Sequence, residues 1–190
     1  MRFNRVANIN TANYTLEKLK VVPKHLINIV REQGIQTYCF NEKLYPSYIG
    51  LDEKLIYEDG RSSDETSCFI PDKKVIELFD WDCDEELGFS VALHEFAHAL
   101  DYSLALKLGK DTYLSSIEPK IYKGWQNDKA LDSYADLNPQ EYFAQAFMAF
   151  FQDIPTYNPK SYRAHTKEEL FLRDNDMYNI LLNLSKQNIS

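Results

Sequence analysis

The sequence predicts an α+β fold in a single domain, with a small, mostly antiparallel sheet and a mainly helical C-terminal lobe. Three observations predict it. The chain has 190 residues, 44% of them hydrophobic, which suits one compact core. Helical periodicity comes first, then short runs rich in β-branched and aromatic residues, then longer helical patterns. Breakers punctuate those patterns at Gly34, Gly109 and Pro155. The expected layout is a helical segment over 1–34, a sheet with the helix carrying His94 and His98 over 35–109, and a helical lobe over 110–190.

The elements follow in order. Pro23 suits a helix start, Leu26, Ile29 and Val30 give that helix an apolar face, and Gly34 stops it. Ile35 to Phe40 reads as a strand, as do Lys54–Tyr57, Cys68–Ile70 and Val75–Phe79, with a turn at Pro71-Asp72. Asp82 and Glu85 form a capping-box pattern for a helix from about Asp84 to Lys107. Pro119, Gly124 and Asn127-Asp128 break residues 111–137 into short pieces. Asn138-Pro139 opens a helix reaching Gln152, and a last helix covers Asp174 to Lys186.

Composition narrows the function. The formal net charge is −8, and no cluster of Lys and Arg stands out. Phosphate backbones need such clusters, so nucleic acid is not an expected partner, whereas a basic peptide would be attracted. Cys39, Cys68 and Cys83 form no CxxC pair and read as free thiols. No apolar run follows Met1–Arg5, so neither a signal peptide nor a membrane span is expected. The chain either starts in the cytoplasm as written or has lost a leader, and a monomer is expected.

The chemistry is concentrated in His94-Glu95-Phe96-Ala97-His98. Histidines four residues apart lie on one helix face, where both imidazoles can reach one ion. In an HExxH motif the glutamate is the general base rather than a ligand, which assigns Glu95. Val91, Leu93, Phe96, Ala97 and Leu100 make the segment apolar. Buried imidazoles and a buried carboxylate need partners, and one Zn²⁺ per chain would supply them. A catalytic zinc normally takes a third protein ligand. An extended form of the motif would place glycine and histidine at positions 101 and 104, but Asp101 and Leu104 stand there. The remaining candidates are downstream acidic residues and His165. Glu141 leads them because it opens a second core helix, although Asn138, Pro139 and Glu141 also read as a helix cap.

The pairing of HEFAHALD with SYADLNPQEYFAQAF resembles the anthrax lethal factor family of zinc metallopeptidases, which includes secreted Pro-Pro endopeptidases. The resemblance spans roughly residues 68–185. It implies a gluzincin-like fold, with zinc on His94, His98 and Glu141, Glu95 as base, and Tyr134 polarising the substrate carbonyl. The sequence departs from the family pattern at Gln145, where a glutamate is usual. Asp101 is expected either to orient a group beside the ligands or to lie exposed on its helix.

The resulting expectation is a zinc metalloendopeptidase acting on a protein or peptide substrate, of a secreted or delivered toxin type. Its substrate would lie along Val75–Phe79, with Phe79 and Trp81 read as core more than as subsite walls. The alternatives are a zinc-stabilised binding module without catalysis and an intracellular regulatory metallopeptidase.

Overall fold

The computed structural model describes residues 3–6, 9–40, 66–79, 82–83, 90–127, 129–152 and 165–186. Strand β1 (Phe3–Val6) leads into helices α1 (Ile9–Leu19) and α2 (Lys24–Glu32). Strands β2 (Gln36–Phe40), β3 (Cys68–Ile70) and β4 (Val75–Phe79) follow. Helices α3 (Val91–Lys107), α4 (Leu114–Ile117), α5 (Pro119–Gln126), α6 (Pro139–Gln152), α7 (Lys167–Arg173) and α8 (Asn175–Lys186) complete the fold. It is a mixed α and β architecture, as the order of patterns predicts.

The sheet corrects the expectation of mostly antiparallel pairing. Its order is β1-β2-β4-β3, with β1–β2 and β2–β4 parallel and only β3–β4 antiparallel. Alternation in sequence marks a strand but not its direction, and direction is set by what connects the strands. Helices α1 and α2 bridge β1 to β2, as a parallel crossover requires. The antiparallel pair is the tight hairpin at Pro71–Lys74, where Lys74 N–H donates to Pro71 O at 3.0 Å and Lys74 takes a φ of 53°. Strand β1 interrupts what reads as a helical opening. The expected strand Lys54–Tyr57 lies outside the described residues.

The helix starts and stops follow local chemistry. Gly34 ends α2 with φ 77°. Helix α3 begins at Ser90, whose Oγ accepts from Leu93 N–H at 3.3 Å. The expected cap at Asp82 is instead occupied elsewhere, accepting from Ser67 N–H at 2.5 Å. Helix α3 ends in a Schellman motif: Gly109, at φ 71°, donates to Leu106 O at 2.9 Å, and Lys110 N–H donates to Ala105 O at 3.0 Å. The expected last helix, Asp174 to Lys186, is α8, and a short helix absent from the sequence reading, α7, precedes it across Asp174.

Helix α3 is buried continuously from Val91 to Ala105, as befits a helix enclosed on every side. The sheet, α1 and α2 cover part of it and α6 covers another. Phe96 meets Phe147 across the α3–α6 contact, with ring centroids 6.0 Å apart. Ser90 N–H donates to Gln152 Oε1 at 3.1 Å, so the start of α3 meets the end of α6 and the two helices run antiparallel. This arrangement brings the opening turn of α6 alongside the middle of α3. No helix among the described residues is long and apolar enough to cross a membrane.

Candidate metal centre

His94 and His98 project from successive turns of α3 and are 6% and 9% exposed. Their Nε2 atoms lie 3.0 Å apart, with the ring planes at 86°. Glu141 arrives from the first turn of α6. Asn138 Oδ1 accepts from Glu141 N–H at 2.8 Å, so the expected cap forms through the Glu141 backbone. That leaves the Glu141 carboxylate free to turn towards α3. Its Oε2 lies 2.9 Å from His94 Nε2 and 3.5 Å from His98 Nε2. Cap and candidate ligand, alternatives in the sequence, are thus one residue's backbone and its side chain.

These three atoms fit a cation. An ion about 2.0–2.1 Å from each of three tetrahedral ligands would hold the ligand atoms roughly 3.3 Å apart. The three observed edges, 2.9, 3.0 and 3.5 Å, bracket that separation. Glu141 Oε2 is buried and, among the described residues, has no partner that satisfies hydrogen-bond geometry, although both imidazoles lie close. Among the described residues these are the only three His, Cys, Asp or Glu side chains grouped closely enough to hold a metal ion.

Electrostatics follow from burial and mutual proximity. Burial pushes the Glu141 carboxyl up, but the His98 and His94 imidazoles outweigh it and hold it far below the usual range. Burial pushes His98 down, and Glu141 reverses this and raises it to about 9. Glu95 is 6% exposed, and burial lifts its carboxyl to about 8. The His98 imidazole and a Phe69 backbone hydrogen bond pull it down, while Glu141 and Asp82 push it further up. The Glu95 carboxylate therefore sits beside β3 and is more basic than a free one.

Tyr134 comes from the loop between α5 and α6, and its ring centroid lies 5.8 Å from that of His94. Asp101 is fully buried and not exposed on its helix. It accepts from Ser115 N–H at 2.8 Å and from Ser115 Oγ–H at 2.6 Å. Burial raises its carboxyl to about 7, against these Ser115 bonds and the nearby His98 charge. His165 is not grouped with the pair and Glu141. Its Nε2 meets Asp132 Oδ2 at 3.0 Å, which removes it from the candidate ligands. Gln145, one turn after Glu141, is 1% exposed, and neither amide atom has a hydrogen-bond partner among the described residues.

Sequence reasoning missed Tyr113. Burial first, then the charges of Asp101, Glu95 and Glu141, hold its phenol well above the ordinary value. One tyrosine among 13 carries no local signal of this.

The sequence profile described as "Anthrax toxin lethal factor, N- and C-terminal domain" matches residues 4–167. The chain belongs to the anthrax toxin lethal factor family. No curated protein matches it in sequence. A solved structure with a similar fold is the Pro-Pro endopeptidase PPEP-2 from Paenibacillus alvei, at 15% identity and a TM-score of 0.60. That likeness covers 95% of this chain and 94% of the other. The family match extends the lethal factor resemblance read from the two motifs towards the N-terminus, over residues 4–167.

Proposed function

We propose that this member of the lethal factor family is a zinc-dependent endopeptidase of gluzincin type, with one Zn²⁺ held by His94, His98 and Glu141. The observation that carries the reading is the convergence of two imidazole nitrogens and one carboxylate oxygen from two buried helices. When bound, such an ion acts as a Lewis acid towards water and the scissile carbonyl. Glu95, which follows His94 on α3, accepts the proton of the attacking water and passes it to the leaving amine. The Tyr134 hydroxyl donates to the oxyanion as it develops.

The substrate strand must differ from the one expected. Val75–Phe79 lies inside the sheet with β2 on one side and β3 on the other, so it has no edge to offer. Cys68–Ile70 is the edge strand on that side of the described sheet, and its Phe69 backbone reaches Glu95. An extended peptide added beside β3 would bring its scissile bond to Glu95. Phe79 is fully buried, in line with its reading as core, and Trp81 lies outside the described residues.

Membership of a family named for a toxin supports a secreted or delivered protease. The test is digestion of a peptide library, Pro-Pro bonds included, read by mass spectrometry with and without a chelator. Cleavage should need the ion and should fall by about 10³-fold or more in Glu95→Gln, with zinc content unchanged. Cleavage surviving in Glu95→Gln would remove the proposed base. Zinc binding and partner capture without cleavage of any peptide would favour the binding module.

A further inference from the structure

Tyr134 sits on an irregular loop, while the ligands beside it sit on buried helices. A hydroxyl that must meet a transient oxyanion cannot be left to wander, because misplacement by about 1 Å can cost a hundredfold in rate. The chain contains an apparatus that fixes this loop. Asp132 Oδ1 accepts from both Tyr134 N–H at 2.9 Å and Ala135 N–H at 2.7 Å. Its other oxygen, Oδ2, lies 3.0 Å from His165 Nε2. A carboxylate only accepts, so Nε2 carries the proton. The Asp132 and His165 side chains are 8% and 15% exposed, which shelters the pair from competing water.

His165 is itself held. Thr166 and Glu169 form a reciprocal capping box at the start of α7, at 3.1 and 2.7 Å. Glu169 Oε2 also lies 3.6 Å from His165 Nδ1. Helix α7 is mounted on α6, with Lys167 Nζ 3.9 Å from the centre of the Phe150 ring and Leu170 buried. Arg173 Nε–H adds a bond to Ala130 O at 3.2 Å, in the same loop. The frame that presents Glu141 therefore also presents, through His165 and Asp132, the backbone of Tyr134.

We propose that His165 and Asp132 are positioning residues that brace Tyr134 beside His94. The inference rests on the reading of Tyr134 as oxyanion donor, and the contacts themselves are independent of it. The experiment combines steady-state kinetics with residue-resolved amide exchange on zinc-loaded full-length protein. In His165→Ala, kcat should fall about tenfold with KM within about twofold. Exchange at the Tyr134 and Ala135 amides should accelerate by about tenfold or more, with zinc content unchanged. His165→Gln, which restores an N–H donor, should recover most of both losses. In a Tyr134→Phe background, His165→Ala should cost less than about twofold further, because it acts through the missing hydroxyl. An equal loss in that background, or unchanged exchange in His165→Ala, would overturn the proposal. If the parent cleaves no peptide and the two amides still loosen, the enzyme reading fails and the brace is upheld.

Discussion

Glu77 shows what burial does to a single carboxyl. It lies fully buried in β4, with Oε1 unpartnered among the described residues and Oε2 3.9 Å from Cys68 Sγ. Burial raises it from 4.5 to about 8, and the Cys68 contact offsets only part of that. A carboxyl raised on folding contributes stability that is fully present below its unfolded value and is lost as pH rises through its folded value. That window runs here from about pH 4.5 to about pH 8. Glu77→Gln, which cannot ionise, should melt above the parent by about 5 °C or more at pH 9, with the gap closing towards pH 5, as read by thermal melts across pH. Gln145 is the opposite case, a neutral amide buried without a partner among the described residues, and nothing in its sequence neighbourhood shows which group it faces.

At the scale of elements, the third candidate ligand depends on a helix cap. Without the Asn138 bond to Glu141 N–H the first turn of α6 frays, and the carboxylate loses its fixed origin. Asn138→Ala should cost about 1 kcal/mol of stability and weaken zinc affinity about tenfold, with Asn138→Ser restoring much of both. Competition with a chelating dye and urea titration would read the two effects. This cap was legible because Asn138-Pro139 is a local signal, and so was the histidine pair, which needs only a four-residue spacing on one helix. Ser90 was less legible, because Asp82 and Glu85 offered a stronger capping pattern that Asp82 abandons for Ser67 N–H. Helix α7 was missed although Thr166 and Glu169 carry its capping box. It is a seven-residue helix with Leu170 as its one buried side chain, too short for periodicity to mark.

At the scale of the molecule, what the sequence could not show is what only long-range contact decides. The parallel pairing of β2 with β4, the contact of His165 with Asp132 and the proximity of Tyr113 to the charged cluster all join residues far apart in the chain. The same holds for the junction of α5, α6 and α8. Tyr142 Oη–H donates to Asp174 Oδ2, and Asp174 Oδ1 accepts from Asp176 and Met177 N–H and from Lys129 Nζ–H. Gly124 lies directly beneath. A Cβ there would come within 2.6 Å of both Asp174 Oδ2 and Tyr142 Oη, two buried atoms held by each other. Alanine would gain about 1 kcal/mol of helix propensity and meet an overpacking cost of about 1–3 kcal/mol. The clash should win, so Gly124→Ala should lower Tm by a few degrees in calorimetry.

The buried face of α6 also sets the direction of its first turn. Each residue of an α-helix turns the next side chain by about 100°. The direction in which Glu141 points is therefore fixed by how many positions separate it from Tyr142, Phe143 and Phe147, which are packed inside the molecule. One residue inserted between Glu141 and Tyr142 would leave a sound, well-buried helix whose carboxylate faces another quarter of the molecule. The imidazole pair would then stand across from a side chain with the wrong chemistry, in a protein that still folds.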